Sequence, residues 1–221
     1  EASEPLSIGL FGGTFDPVHL GHLWLAREAL RRLALEQVIL LPAGNPYQRD
    51  RAPHASGIDR GEMLRFAVAD DPRLSVDLRE VHRQGATYTI DTLREWRSEA
   101  GPATPLIWLI GQDAFARIHT WREAERLLEY AHLAVFGRAE APAEASVETR
   151  RALPSLVAAE VRDPLCLTQS PAGHWLALPV TPPDISATAI RAAIGRGALP
   201  RHQLPEKVAD YIAQHHLYRS E

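Results

Sequence analysis

Short, continuously apolar runs alternate with amphipathic segments along most of this chain, and nothing else in the sequence constrains its fold as tightly. "PLSIGLF", "QVILLP", "RLSVDL", "PLIWLIG" and "HLAVFGR" are rich in branched residues and read as strands. Between them, "HLGHLWLAREALRRLAL", "IDRGEMLRFAVAD", "TIDTLREWRSEAG" and "TWREAERLLEYA" read as helices, the third closing on Gly101. Strands apolar at every position, such as Leu106 to Ile110, suit a sheet covered on both faces. The alternation therefore predicts an α/β fold: a Rossmann-like, doubly wound parallel sheet with helices on both faces.

After Arg138 the pattern loosens into "AEAPAEASVETRRALPS", read as a surface connection leading to a short helix. Order returns in "DISATAIRAAIGRG" and "LPEKVADYIAQHHLYR", which give a small helical part over about 184–221. No repeat or composition break asks for a second domain, so the whole span 1–221 is expected to be one. A net charge of −4 gives no reason to expect nucleic acid or an anionic membrane as partner. One cysteine, Cys166, allows no intrachain disulfide and fits a reducing compartment. No apolar run approaches the roughly 20 residues of a membrane span, and the first residues lack the design of a signal peptide. A cytoplasmic protein is expected, and the sequence leaves a homo-oligomer open.

The connection after the first strand carries the most chemistry. In "GLFGGTFDPVHLGHL", Gly12 and Gly13 let the backbone pass close to a ligand. His19 and His22 follow at the start of a helix, one turn apart, where free N–H groups and a partial positive charge favour an anion. Each imidazole, protonated or neutral, offers an N–H donor to a phosphate oxygen. A zinc site would need further ligands that no neighbour volunteers, and a purely structural pair would leave the glycines and the helix start unexplained. Neither G-x-G-x-x-G nor the P-loop pattern is present, so this is a different kind of phosphate loop. Asp16 has the look of a metal ligand, but in a Phe-Asp-Pro corner a brace for the loop is the better reading, and no metal-binding residue is assigned.

A second signal lies in "ISATAIR", Ile185 to Arg191. Ser186 is suited to cap a helix whose first amides, at Ala187 and Thr188, would face outward. Arg191 adds a permanent forked cation one turn in. Alone, this is a capped surface helix. Paired with the histidine loop, it is a second phosphate contact.

Together the two motifs resemble those of the nucleotidylyltransferase superfamily, with its "GGTFDPVHLGH" loop and late "ISxTxIR" helix. The second motif departs only at Ala187, where the family usually has serine. "LLPAGNPYQR", "YTIDTL", "LIGQDAF" followed by "TW", and "YIAQHHLY" are similar to segments of bacterial nicotinate mononucleotide adenylyltransferases. The resemblance runs from Gly9 to Tyr218. It implies transfer of the adenylyl group of ATP to nicotinate mononucleotide, giving deamido-NAD and pyrophosphate, with Mg²⁺ bound alongside the ATP phosphates. His19, His22 and Arg191 would act on the transferring phosphates. Gly12, Gly13, Thr14, Phe15, Gly111, Asp113, Ile185, Ser186 and Thr188 would complete the ATP site.

The same resemblance assigns Tyr88, Thr89 and Trp121 to the nicotinate ring and its carboxylate, with Asp113 and Arg49 also on the acceptor side. For Trp121 ordinary helix packing is an equal reading, as helix capping is for Asp113. The other tryptophans, Trp24, Trp96, Trp108 and Trp175, are assigned to packing. Where family members often carry Pro-Pro-His-Lys, this chain has Pro46-Tyr47-Gln48-Arg49. Arg49 keeps the charge but as a fork, and Gln48 loses an imidazole. The rivals are an adenylyltransferase for another acceptor, such as nicotinamide mononucleotide or phosphopantetheine, and a non-catalytic nucleotide sensor. A sensor would be expected to have lost a histidine or the arginine, and both motifs are intact.

Overall fold

A computed structural model describes residues 6–45 and 52–219. Gln48 and Arg49 lie outside the described residues. In chain order the elements are β1 (Ile8–Gly13), α1 (Leu20–Arg32), β2 (Gln37–Pro42), α2 (Gly57–Val68), β3 (Leu74–Val76), α3 (Arg79–His82), α4 (Thr89–Ala100) and β4 (Leu106–Gly111). There follow α5 (Gln112–Phe115), α6 (Leu127–Tyr130), β5 (His132–Arg138), α7 (Val147–Ala152), α8 (Pro154–Ala158), β6 (Glu160–Val161), β7 (Trp175–Val180), α9 (Ala187–Gly195) and α10 (Glu206–Gln214). The strands form a seven-stranded sheet in the order β3-β2-β1-β4-β5-β7-β6. Pairings β1–β4, β4–β5, β5–β7 and β6–β7 are all parallel, and the helices connect the strands as crossovers of a parallel sheet require. No helix among the described residues is long and apolar enough to cross a membrane.

The contacts group the chain into two compact units. The first comprises the chain up to Gly12, Ala29–Val38 and Tyr88–Thr181; the second comprises Gly13–Glu28, Ile39–Thr87 and the chain from Pro182 on. In the first unit, Leu106 to Ile110 are all buried, as a strand apolar on both faces requires. Phe11 meets Phe136 edge-on at 5.8 Å, and Phe115 lies 4.7 Å from Trp175. Trp108 and Trp175 are core residues, as expected. Arg97 fastens the end of α4, donating to the carbonyls of Tyr130, Gly101, Thr104 and Pro171, while Gly101 closes the helix at φ 82°. In the second unit α10 packs on α2, and the Tyr211 hydroxyl donates to Asp59 at 2.9 Å.

Two segments differ from the sequence expectation. The stretch Thr120–Ala131 is not one helix: a 3₁₀ turn ends at Thr120, Trp121 is extended, Glu123 is left-handed at φ 50°, and only Leu127–Tyr130 is α-helical. The Glu123 carboxylate is bound by Arg94 and Arg126, which holds this break against the helical pattern of the sequence. The strands β6 and β7 were not expected at all. β6 is two residues long, and β7 contains Pro179, a residue that argues against a strand unless the position avoids a needed N–H.

Candidate active site

The loop after β1 is built on aromatic rings of the protein itself. A Cβ on Gly12 would stand 2.4 Å from the Trp108 ring, and one on Gly13 would stand 2.9 Å from the Phe15 ring. Packing thus asks for glycine at both positions, a reason additional to the ligand approach expected from the sequence. Phe15 takes a left-handed φ of 50°, a costly conformation for a bulky residue. Its ring is buried and meets His22 edge-on at 4.9 Å. Beneath the loop lies Arg60, 1% exposed, which donates to the carbonyls of Thr14 at 2.8 Å and Ala55 at 3.3 Å.

Asp16 is the brace expected of it. Its carboxylate accepts from the backbone amides of His54 (2.7 Å) and Ala55 (3.0 Å) and from the Tyr218 hydroxyl (2.9 Å). Burial alone would raise its pKa, but these hydrogen bonds and the charge of Arg191 outweigh it, and the group sits below the usual carboxylate value. Burial first, and the neighbouring Asp16 carboxylate second, push the Tyr218 hydroxyl well above its ordinary value.

His19 and His22 stack, with ring centroids 3.7 Å apart. The His22 Nδ1 accepts from the His19 backbone amide at 3.3 Å, so the proton of a neutral His22 ring resides on Nε2. Burial lowers the His19 pKa to about 4; burial and the neighbouring His19 hold His22 well below its ordinary value. At neutral pH both rings are thus uncharged N–H donors, each able to bind an anion without first taking up a proton. The buried Nδ1 of His19 has no hydrogen-bond partner in the protein, and the space beside it exists because residue 21 is glycine: a Cβ there would lie 3.0 Å from that nitrogen.

These pKa values fix a stability profile. His132, at the start of β5, is a third buried neutral histidine, its pKa also lowered to about 4 by burial. Its Nδ1 accepts from His174 N at 3.1 Å, and its Nε2 donates to Ser170 O at 2.8 Å. Below the ordinary histidine pKa of about 6.5 the unfolded chain binds protons that the folded chain refuses, so stability falls as pH drops from about 6.5 towards about 4. His19 and His132, each held at about 4, cost about 2 kcal/mol apiece at pH 5. Urea unfolding at pH 5 should therefore show a loss on the order of 4 kcal/mol against pH 7.5; equal midpoints and slopes at the two values would contradict the burial of neutral rings.

The second motif joins the first within the same unit. Ser186 caps α9 by accepting from Ala189 N at 3.1 Å. Arg191 donates through Nη1 to the Asp16 carbonyl at 2.7 Å and through Nη2 to Thr188 Oγ1 at 3.3 Å. Ile185 lies against Gly21, within 3.7 Å of where its Cβ would be. His19, His22, Thr14, Phe15, Ile185, Ser186, Thr188 and Arg191 are thereby gathered around one loop. A concavity of about 680 Å³ beside α9 is lined by His54, Thr188, Arg191, Arg196, Tyr218 and Arg219.

The remaining expected residues belong to the first unit. Gly111 ends β4 and precedes α5; nothing stands within 4 Å of a Cβ placed there, so no protein neighbour requires this glycine. Asp113 is exposed in the first turn of α5, and Gly111, not Asp113, is the N-cap residue. Tyr88 precedes α4, and Thr89 is its first residue, with no side chain capping the helix. Trp121 is half-buried and extended, just after a 3₁₀ turn and outside any helix. The Arg122 guanidinium lies over the Tyr88 ring at 4.7 Å.

Sequence reasoning missed Arg60, His54 and Arg122. Arg60 did leave a signal, an arginine on the same helix face as Met63 and Leu64; His54 left none, because its backbone amide does the work.

The chain matches the cytidylyltransferase-like family over residues 10–193. It is 45% identical to a Pseudomonas paraeruginosa protein named "Probable nicotinate-nucleotide adenylyltransferase", over 96% of this chain and 97% of that one. A Laribacter hongkongensis protein of the same name is 46% identical over 98% and 96%. Among solved structures, the Plasmodium falciparum nicotinic acid mononucleotide adenylyltransferase complexed with NaAD superposes with a TM-score of 0.66 over 96% of this chain and 97% of that chain, at 15% identity. That last likeness is one of fold.

Proposed function

The chain belongs to the cytidylyltransferase-like family, among the nicotinate-nucleotide adenylyltransferases, and from that membership we infer that it transfers the adenylyl group of ATP to nicotinate mononucleotide. The observation that carries the phosphate chemistry is the meeting of two motifs from opposite ends of the chain: Arg191 reaches the carbonyl of Asp16 in the very loop that leads into His19 and His22.

The reaction asks little covalent chemistry of the protein. A 5′-phosphate oxygen of nicotinate mononucleotide forms a bond to the α-phosphorus of ATP, the bond from that phosphorus to the bridging β-oxygen breaks, and pyrophosphate leaves with the electron pair. The attacking phosphate is already an anion at pH 7, so no general base is needed. What is needed is alignment and stabilisation of charge on the phosphoryl oxygens. His19 and His22, as neutral donors, are assigned to the α- and β-phosphates. Thr14 and Phe15 contribute backbone contacts, and Ser186, Thr188 and Arg191 hold the β,γ end that becomes pyrophosphate. Gly111 and Asp113 are assigned to the adenosine side, Asp113 also to the acceptor. Tyr88, Thr89 and Trp121 are assigned to the pyridine ring and its carboxylate.

Magnesium fits this scheme as part of the nucleotide substrate. Among the described residues no group of three potential ligands lies together, and both oxygens of Asp16 are engaged in bracing. Phosphate and water oxygens would supply its ligands.

Two experiments test this reading. Incubating deamido-NAD with pyrophosphate and magnesium should regenerate ATP and nicotinate mononucleotide in equal amounts, since in the reverse step a pyrophosphate oxygen bonds to the adenylyl phosphorus and the mononucleotide leaves; no ATP above a boiled control would contradict it. Trp121→Ala should raise the KM for nicotinate mononucleotide roughly tenfold, the scale of a lost aromatic stack, and leave the KM for ATP within about twofold. Equal effects on both substrates would assign Trp121 to packing instead.

A further inference from the structure

We propose that the trough along α9 takes a phosphate chain one unit longer than that of ATP, so that inorganic tripolyphosphate replaces pyrophosphate in the reverse direction; this rests on the assignment of Ser186, Thr188 and Arg191 to the β,γ end of the nucleotide. Those three residues lie at the N-cap and within the first five residues of α9. The concavity of about 680 Å³ runs on past them to Gly195 and Arg196 at the helix end. From Thr188 to Arg196 the helix axis rises about 12 Å, more than two linked phosphates span. Thr188, Arg191, Ala192 and Gly195 are spaced three and four apart and so lie along one face of the helix. Alanine and glycine between the two arginines leave the floor of the trough without long side chains.

The far end of the trough is cationic. Arg196 and Arg219 are exposed, and neither side chain has an ion pair or hydrogen bond with another described residue. Arg219 comes from the C-terminal segment, which the Tyr218 hydroxyl ties to Asp16 at 2.9 Å. His54 comes from the segment before α2; its side chain is 58% exposed, with Nδ1 3.3 Å from the same carboxylate. No acidic side chain is among the described residues that line the trough, and Asp16 is buried and committed to its brace. A cleft lined by one sign of charge concentrates the opposite sign, and the arginine fork matches phosphate oxygens. A triphosphate that ends at Thr188 and Arg191 leaves Arg196 and Arg219 unmatched. A fourth phosphate meets them.

The step is the reverse transfer with a longer nucleophile. A terminal oxygen of tripolyphosphate bonds to the adenylyl phosphorus of deamido-NAD. The bond from that phosphorus to the bridging oxygen of the mononucleotide breaks, and nicotinate mononucleotide leaves with the electron pair. The other product is adenosine 5′-tetraphosphate.

The test incubates the full chain with deamido-NAD and either pyrophosphate or tripolyphosphate at matched free magnesium, separating ATP from adenosine tetraphosphate by anion exchange. The kcat/KM for tripolyphosphate should lie within about tenfold of that for pyrophosphate, the margin of one charged hydrogen bond. Arg196→Gln and Arg219→Gln should each lower the tripolyphosphate value about tenfold and leave the pyrophosphate value within about twofold. Arg196→Lys, which keeps the charge, should retain most of the wild-type value. ATP formation without tetraphosphate, a wild-type tripolyphosphate value more than about tenfold below that for pyrophosphate, or glutamine variants that leave the ratio of the two values unchanged overturns the proposal. A wild type that forms neither product fails the functional reading itself, and the proposal falls with it.

Discussion

Replacing His22 by alanine lowers kcat/KM by about two to three orders of magnitude, a loss of roughly 3 kcal/mol of transition-state stabilisation. The size follows from the kind of donor this histidine is. Its Nδ1 is committed to the His19 backbone amide, its ring is wedged between the rings of His19 and Phe15, and its charge is suppressed by burial. A donor held this way needs no reorganisation when charge develops on the phosphate, which is why losing it costs more than an ordinary exposed hydrogen bond. The same state fixes the pH dependence. Because the rings donate as neutral imidazoles, kcat/KM does not fall between pH 7 and pH 8.5, as it would if a protonated histidine of ordinary pKa, about 6.5, were required. A His22→Ala enzyme within a few-fold of wild type would remove the phosphate assignment.

The second large effect is on the brace. Asp16→Ala removes the acceptor for the His54 and Ala55 amides and for the Tyr218 hydroxyl at once. Leaving buried donors without partners costs about 1–3 kcal/mol each, so a net loss of about 3–5 kcal/mol in urea unfolding is expected, the scale of breaking a buried charged network. Activity falls with it, because the loop carrying Thr14 and Phe15 and the C-terminal segment that carries Tyr218 lose their common anchor. Asp16→Asn, which retains one oxygen, should lie between. The competing role for this carboxylate, a metal ligand, gives the opposite pattern: near-normal stability with a weakened dependence of activity on magnesium concentration.

How much of this was legible in the sequence differs by element. Leu106 to Ile110 and Val38 to Leu41 announced themselves because a strand buried on both faces is apolar at every position. "ISATAIR" was legible as a capped helix because Ser186 does locally what serine does at an N-cap. β7 was not, since Pro179 interrupts it and β6 offers only two residues of pairing. The break at Glu123 was hidden because "TWREAERLLEYA" has helical composition; only a long-range partner, Arg94 on α4, reveals why the backbone leaves the helix there. The Tyr218 hydroxyl on Asp16 spans 202 positions and leaves no local pattern. The packing reason for Gly12 left no local pattern, because the Trp108 ring it makes room for lies far along the chain.

The measurement that bears most directly on the central claim is pyrophosphate release from ATP and magnesium, run in parallel with nicotinate mononucleotide, nicotinamide mononucleotide, phosphopantetheine and riboflavin phosphate. The account predicts strong turnover with the nicotinate form and little with the other three. Preferred turnover with phosphopantetheine or riboflavin phosphate would leave the histidine chemistry standing and overturn the roles of Tyr88, Thr89 and Trp121, while ATP binding without release from any acceptor would contradict the account as a whole.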